Sequence, residues 1–161
     1  MTTRFRHPSA DDHPAVAEVV DEWSGGRRVR ARLPRLWLEH FGSTSWVAET
    51  DSGRLAGFLV GFVSPDRPTE GVIHLLAIDP NDVGRDVDRD LVEQFAACVR
   101  DQGVTRLVTV LPPDDRRAID RWRALGWVLD EGPGTARIWG VPARPDHDGP
   151  GEDRAILSRP A

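Results

Sequence analysis

Ile73-His74-Leu75-Leu76-Ala77-Ile78-Asp79-Pro80-Asn81-Asp82-Val83-Gly84-Arg85-Asp86-Val87-Asp88-Arg89-Asp90-Leu91 is the stretch in which the hydrophobic rhythm of the chain changes. From Gly71 to Ile78 the apolar run is nearly continuous, which predicts a central strand covered on both faces. Asp79-Pro80-Asn81 stops it. From Asp86 to Gln102, Val87, Leu91, Phe95 and Val99 recur at helical spacing, which predicts an amphipathic helix closed by Gly103. A buried strand feeding a helix through a short polar loop is the unit of α/β domains.

The flanking sequence extends the pattern in both directions. Upstream, a short strand around Phe5 precedes Ser9, a candidate N-cap with Asp11 and Asp12 in the first turn. Val16, Val19, Val20 and Trp23 then mark the buried face of a helix. Ser24-Gly25-Gly26 ends it, and Leu33, Leu36, Trp37 and Phe41 predict a second, shorter helix. Ser45 to Thr50 and Leu55 to Val63 read as a hairpin turned by Asp51-Ser52-Gly53-Arg54. Downstream, Arg106 to Leu111 is a buried strand, Pro112-Pro113-Asp114-Asp115 opens a helix carrying Ile119, Trp122 and Leu125, and Gly126-Trp127 starts a further strand. Thr135 to Val141 and Arg154 to Ser158 complete the β content, separated by a Pro/Asp/Gly loop. The expected fold is one α/β domain over residues 1–161, with a mixed central sheet of about six to seven strands flanked by about four helices.

Composition narrows the chemistry. The chain has 161 residues, of which 26 are acidic and 21 basic, for a net charge of -5. This balance disfavours a generic nucleic-acid binder, which needs a basic face. Every basic residue is arginine and tyrosine is absent, so lysine Schiff bases, lysine bases and tyrosine acids are excluded. Cys98 is the one cysteine, so neither an internal disulfide nor a multi-thiolate metal site can form. Cysteine usage, an N-terminus without an apolar core and the lack of any membrane-spanning run together predict a cytoplasmic protein with no membrane partner.

The quoted stretch, the helix and strand that follow it, and Arg121-Trp122-Arg123-Ala124-Leu125-Gly126-Trp127 together resemble the GNAT acetyltransferase superfamily. The resemblance covers nearly the whole chain. It implies a GNAT fold and an acyl-CoA-dependent N-acyltransferase acting on an amine of a small molecule or peptide, with acetyl-CoA or another acyl-CoA as cofactor. In that family the backbone at Leu76, Ala77 and Ile78 would pair with the pantetheine arm. The following loop and helix start, here Gly84, Arg85 and Val87, would hold the pyrophosphate, because a helix N-terminus offers free N–H donors and partial positive charge.

The family's Arg/Gln-x-x-Gly-x-Gly/Ala outline falls on Val83 to Asp88. Val83 replaces the basic or amide residue, and Asp86 and Asp88 replace both glycines. A carboxylate about 5 Å from a phosphate costs on the order of 1–3 kcal/mol. The alternative expectation is therefore a divergent GNAT-fold protein that does not use acetyl-CoA, either a repurposed small-molecule enzyme or a non-catalytic binding module. The family's tyrosine acid corresponds to Trp122, its asparagine to Asp115 and its glutamate base to Val72. His74 and Asp115 are thus the catalytic candidates, and Trp37, Glu70 and Trp122 the substrate-binding ones, with Trp139 also placed near the cleft.

Plainer readings stand beside these. His74 also fits a hydrogen-bonded core histidine. Asp82, Asp86, Asp88 and Asp90 fit a cation site less well than a solvated acidic helix start. Cys98 reads as a small buried hydrophobe. The Arg27-Arg28-Val29-Arg30-Ala31-Arg32 stretch fits a solvated surface turn better than a contact to an anionic substrate or a nucleic acid. A small-molecule substrate is expected, and a homodimer is left open.

Overall fold

In the computed structural model, residues 2–82 and 85–161 are described. Val83 and Gly84, both part of the phosphate-loop reading, lie outside them. The main sheet is built from β1 (Arg4–Arg6), β2 (Trp46–Glu49), β3 (Leu55–Val63), β4 (Glu70–Ile78), β5 (Arg106–Leu111), β9 (Ala155–Pro160) and β6 (Val128–Leu129), side by side in that order. Only β4 and β5 run parallel; the other neighbours are antiparallel. The helices are α1 (His13–Trp23), α2 (Leu36–His40), α3 (Val87–Arg100) and α4 (Arg116–Ala124). The expected mixed sheet of six to seven strands with four helices is observed. One strand reading is corrected: the segment from Thr135 to Val141 is the outer half of a hairpin, β7 (Ala136–Ile138) and β8 (Val141–Ala143). Trp139 and Gly140 turn it, both at positive φ.

Apolar side chains cover both faces of the sheet. On one face α1 and α2 bury Val16, Val20, Trp23 and Leu38 against Val47, Phe58, Val60, Leu75 and Ala77. On the other, α3 buries Val87, Leu91, Val92, Phe95, Ala96 and Val99, together with Trp122 and Trp127, against Leu59, Ile73, Ile78 and Leu107. Each fully buried aliphatic or Phe side chain contributes about 1.5–3 kcal/mol.

The loop from β4 to α3 is pinned by charge. Asp79 and Asp82 are both buried, and the Arg54 guanidinium bridges them. Arg85 adds a bond to Asp82 at 3.1 Å, and Asn81 donates to Asp79 from its backbone and side chain. Asp82 is therefore neutralised inside the loop and does not face the solvated helix start with the other acids. Asp86 precedes α3 in the left-handed region, at φ 58°, and its carboxylate caps nothing.

Candidate active site

The cleft originates in a break of register. Val60 pairs with Leu75 and Gly61 with Ile73, so β4 carries one extra residue, His74. A bulge bends a strand and sharpens its twist. Residues two apart on a regular strand share a face, yet Ile73 packs on the α3 side while Leu75 packs on the α1 side. Beyond the bulge β4 leaves β5: their pairing runs from Glu70–Arg106 to Ile73–Thr109 and stops. Thr109 Oγ1 donates to the Ile73 carbonyl at 3.0 Å as the last rung. From His74 to Ile78 the β5-facing edge of β4 is open, which gives a thioester arm backbone groups to pair with.

This wedge has a volume of about 50 Å³ and is lined by His74, Leu76, Thr109, Asp115, Arg121 and Trp122, with Trp23 and Arg32 from the α1 side. The fold therefore brings His74 and Leu76 of β4 together with Asp115 and Trp122 of α4 and its cap, about forty residues away in sequence. The His74 ring stacks on Trp37, with centroids 4.0 Å apart and planes within 9°. Its Nε2 lies 2.6 Å from the Arg32 carbonyl. A carbonyl only accepts, so Nε2 carries the proton and Nδ1 is the ring's proton acceptor. Burial holds the pKa of His74 below its usual value; the bond to the Arg32 carbonyl opposes this, and the Arg32 charge adds to it. The imidazole is neutral near pH 7, in the state a general base needs.

Other expected residues have structural roles. Asp115 caps α4, accepting from the Ala118 N–H at 3.2 Å, and pairs with Arg27 at 3.5 Å. Trp122 is buried and meets Trp127 edge-on, 4.5 Å between centroids. Glu70 is not brought to the cleft: it sits on the paired half of β4, bonded to Arg106 at 3.0 Å. The Ala77 and Ile78 side chains are buried in opposite cores, leaving only their backbone for a ligand, and Val87 is likewise a core residue. Cys98 is half-buried with its thiol pKa raised by burial, which makes it a poor nucleophile. Trp139 stands exposed at the hairpin tip beside Arg27 and Arg154.

Thr109 and Arg121 line the cleft without any signal in the sequence, and Arg32 joins them from the basic stretch noted above. Partial burial and the neighbouring Arg117 charge lower the Arg121 pKa, while Asp88 and Asp115 pull the other way. At the wedge, Arg117 donates to the Trp23 carbonyl at 3.3 Å, and beside it Arg27 pairs with Asp114 at 3.0 Å as well as with Asp115.

The strand parts from its parallel neighbour ahead of Leu76 to Ile78, whose backbone the resemblance implied would pair with a pantetheine arm, and a helix starts beyond the gap. Residues 12–127 match the model of the acetyltransferase (GNAT) family. The chain belongs to the GNAT acetyltransferase family. Over 90 residues it is 33% identical to the L-2,4-diaminobutyric acid acetyltransferase of Nocardia farcinica (strain IFM 10152), covering 56% of this chain and 46% of the relative. The match thus spans about half the length of that protein. Among solved structures, an acetyltransferase of this family from Desulfovibrio desulfuricans superposes with a TM-score of 0.77 at 16% identity, over 99% of both chains. The diaminobutyrate acetyltransferase of Paenibacillus lautus, solved with L-2,4-diaminobutyric acid and coenzyme A, gives 0.67 at 18% identity, over 99% of this chain and 95% of that one. At these identities the structural likeness speaks for the fold. No helix among the described residues is long and apolar enough to cross a membrane.

Proposed function

We propose that the protein is an acyl-CoA-dependent N-acyltransferase that transfers an acetyl group to an amine of a small molecule. The observation that carries this reading is the wedge itself, where the open β4 edge meets a neutral histidine whose proton acceptor is Nδ1. The acceptor nitrogen attacks the thioester carbonyl carbon, an N–C bond forms and the C–S bond breaks. His74 Nδ1 takes the proton lost from nitrogen, and the thiolate takes one from solvent. Backbone N–H groups on the open edge stabilise the oxyanion, and orientation in the wedge supplies much of the acceleration. The absence of a tyrosine acid slows the departure of the thiolate without preventing it.

The pyrophosphate would meet the start of α3, with Arg85 and the Val87 backbone nearest. Arg85 is engaged by Asp82, and the Asp86 carboxylate is exposed, 3.9 Å from Arg89. Together with the small wedge, these favour a second reading in which acetyl-CoA is not used. Isothermal titration with acetyl-CoA separates the two. Micromolar binding by the wild type supports the transferase. No binding by the wild type, recovered by Asp86→Gly with Asp88→Gly, supports the second reading.

A further inference from the structure

Next to the wedge, and sharing Arg32 and Asp115 with it, lies a second hollow of about 290 Å³. Its wall holds Arg27, Arg28, Arg32 and Arg154, with Asp115 as the one carboxylate among the lining residues. The first three come from the basic stretch between α1 and α2, and Arg154 from the loop before β9. Arg27 is engaged by Asp114 and Asp115, and Arg154 by Asp148 at 2.7 Å and Glu152 at 2.9 Å. Arg28 and Arg32 have no ion-pair partner among the described residues.

The segment carrying them is held in place. Asp21 accepts from the backbone N–H groups of Val29 and Arg30, both at 2.8 Å, and His74 donates to the Arg32 carbonyl. With the backbone held, the guanidinium groups of Arg28 and Arg32 line the hollow, and each can grip a planar anion through two parallel N–H bonds. Partial burial and the Arg154 charge disfavour the Arg32 cation, with Asp148 offsetting them only in part, so an anion brought there is stabilised.

We propose that this hollow is the carboxylate seat of the acceptor, and that the protein acetylates small amines bearing a carboxylate, which Arg28 and Arg32 hold while the amine faces His74. The inference rests on the transferase reading for its chemistry, but the seat can be tested without turnover. Isothermal titration of the acetyl-CoA-free protein compares L-2,4-diaminobutyrate with 1,3-diaminopropane, which keeps two amines and lacks the carboxylate.

The wild type is expected to bind the amino acid at least about tenfold tighter. Arg32→Gln should erase that preference and Arg32→Lys restore part of it. Arg30→Gln, the same charge change on the same segment but outside the hollow, should leave it intact. Equal binding of both probes, binding of neither, or an unaltered preference in Arg32→Gln would overturn the seat. A preserved preference in a protein that does not acetylate the amino acid with acetyl-CoA would leave the seat standing and remove the transferase reading. Turnover of both amines at equal kcat/KM would do the reverse.

Discussion

At the scale of single residues, His74 and Asp86 make opposite demands. His74 is the extra residue of a bulge, fixed through Nε2 by a carbonyl and through its face by Trp37. His74→Gln is expected to lower kcat by about 10²–10⁴-fold, the usual reach of a general base, with acetyl-CoA binding unchanged by calorimetry. The pH dependence follows from the direction of its shift. A base with a depressed pKa stays competent into more acid solution, so the acid limb of kcat/KM should lie below 6.5 in the wild type and vanish in the variant. Asp86 occupies a left-handed backbone position without capping α3. Asp86→Gly relieves backbone strain but also removes an acid from a helix start, and each effect is at most about 1–2 kcal/mol. Thermal stability should thus change by less than about 1 kcal/mol, whereas acetyl-CoA affinity should rise by about tenfold as one carboxylate leaves the phosphate site.

At the scale of elements, α3 was legible in the sequence because its apolar residues recur with the helical period, and β4 because its apolar run is nearly continuous. The bulge was not. Nothing at His74 departs from a strand pattern, and the break is visible only in the pairing, where Gly61 meets Ile73 while Val60 meets Leu75. A Cβ at Gly61 would lie 2.6 Å from Phe95 Cε2 and 2.9 Å from the Val72 carbonyl. Gly61→Ala is therefore expected to destabilise the protein by about 1–3 kcal/mol through overpacking between β3 and α3, measured by urea unfolding. The role of Asp82 was equally hidden, since Arg54 is distant in sequence and no local pattern predicts their pairing. Arg54→Leu removes the cation that bridges two buried carboxylates, leaving Asp82 to Arg85 and Asp79 to Asn81. It should cost about 2–3 kcal/mol, somewhat less than a fully buried pair because Arg54 itself is half exposed, and the loss should shift the urea midpoint without changing its slope.

At the scale of the molecule, the two cores lie on opposite faces of one sheet, and the wedge is the place where that sheet opens between them. The site residues reach it from both faces: His74 turns toward Trp37 and Arg32, whereas Trp122 arrives with α4. That convergence follows from topology, which is why the motif reading located His74, Asp115 and Trp122, reached Arg32 only as part of a basic stretch, and missed Thr109 and Arg121. The contacts from Arg117 to the Trp23 carbonyl and from Arg27 to Asp114 and Asp115 join the α1 end to the α4 end beside the wedge. A gap of about 50 Å³ holds only a few waters and must widen before a thioester enters. Donor entry is therefore expected to be gated by these tethers. In stopped-flow mixing, the observed rate should level off with acetyl-CoA concentration at the opening rate, and Arg117→Ala should raise that plateau. Added salt should raise it further by weakening the exposed Arg27 pair. A rate that climbs linearly with concentration in both proteins would mean that the mouth already opens freely.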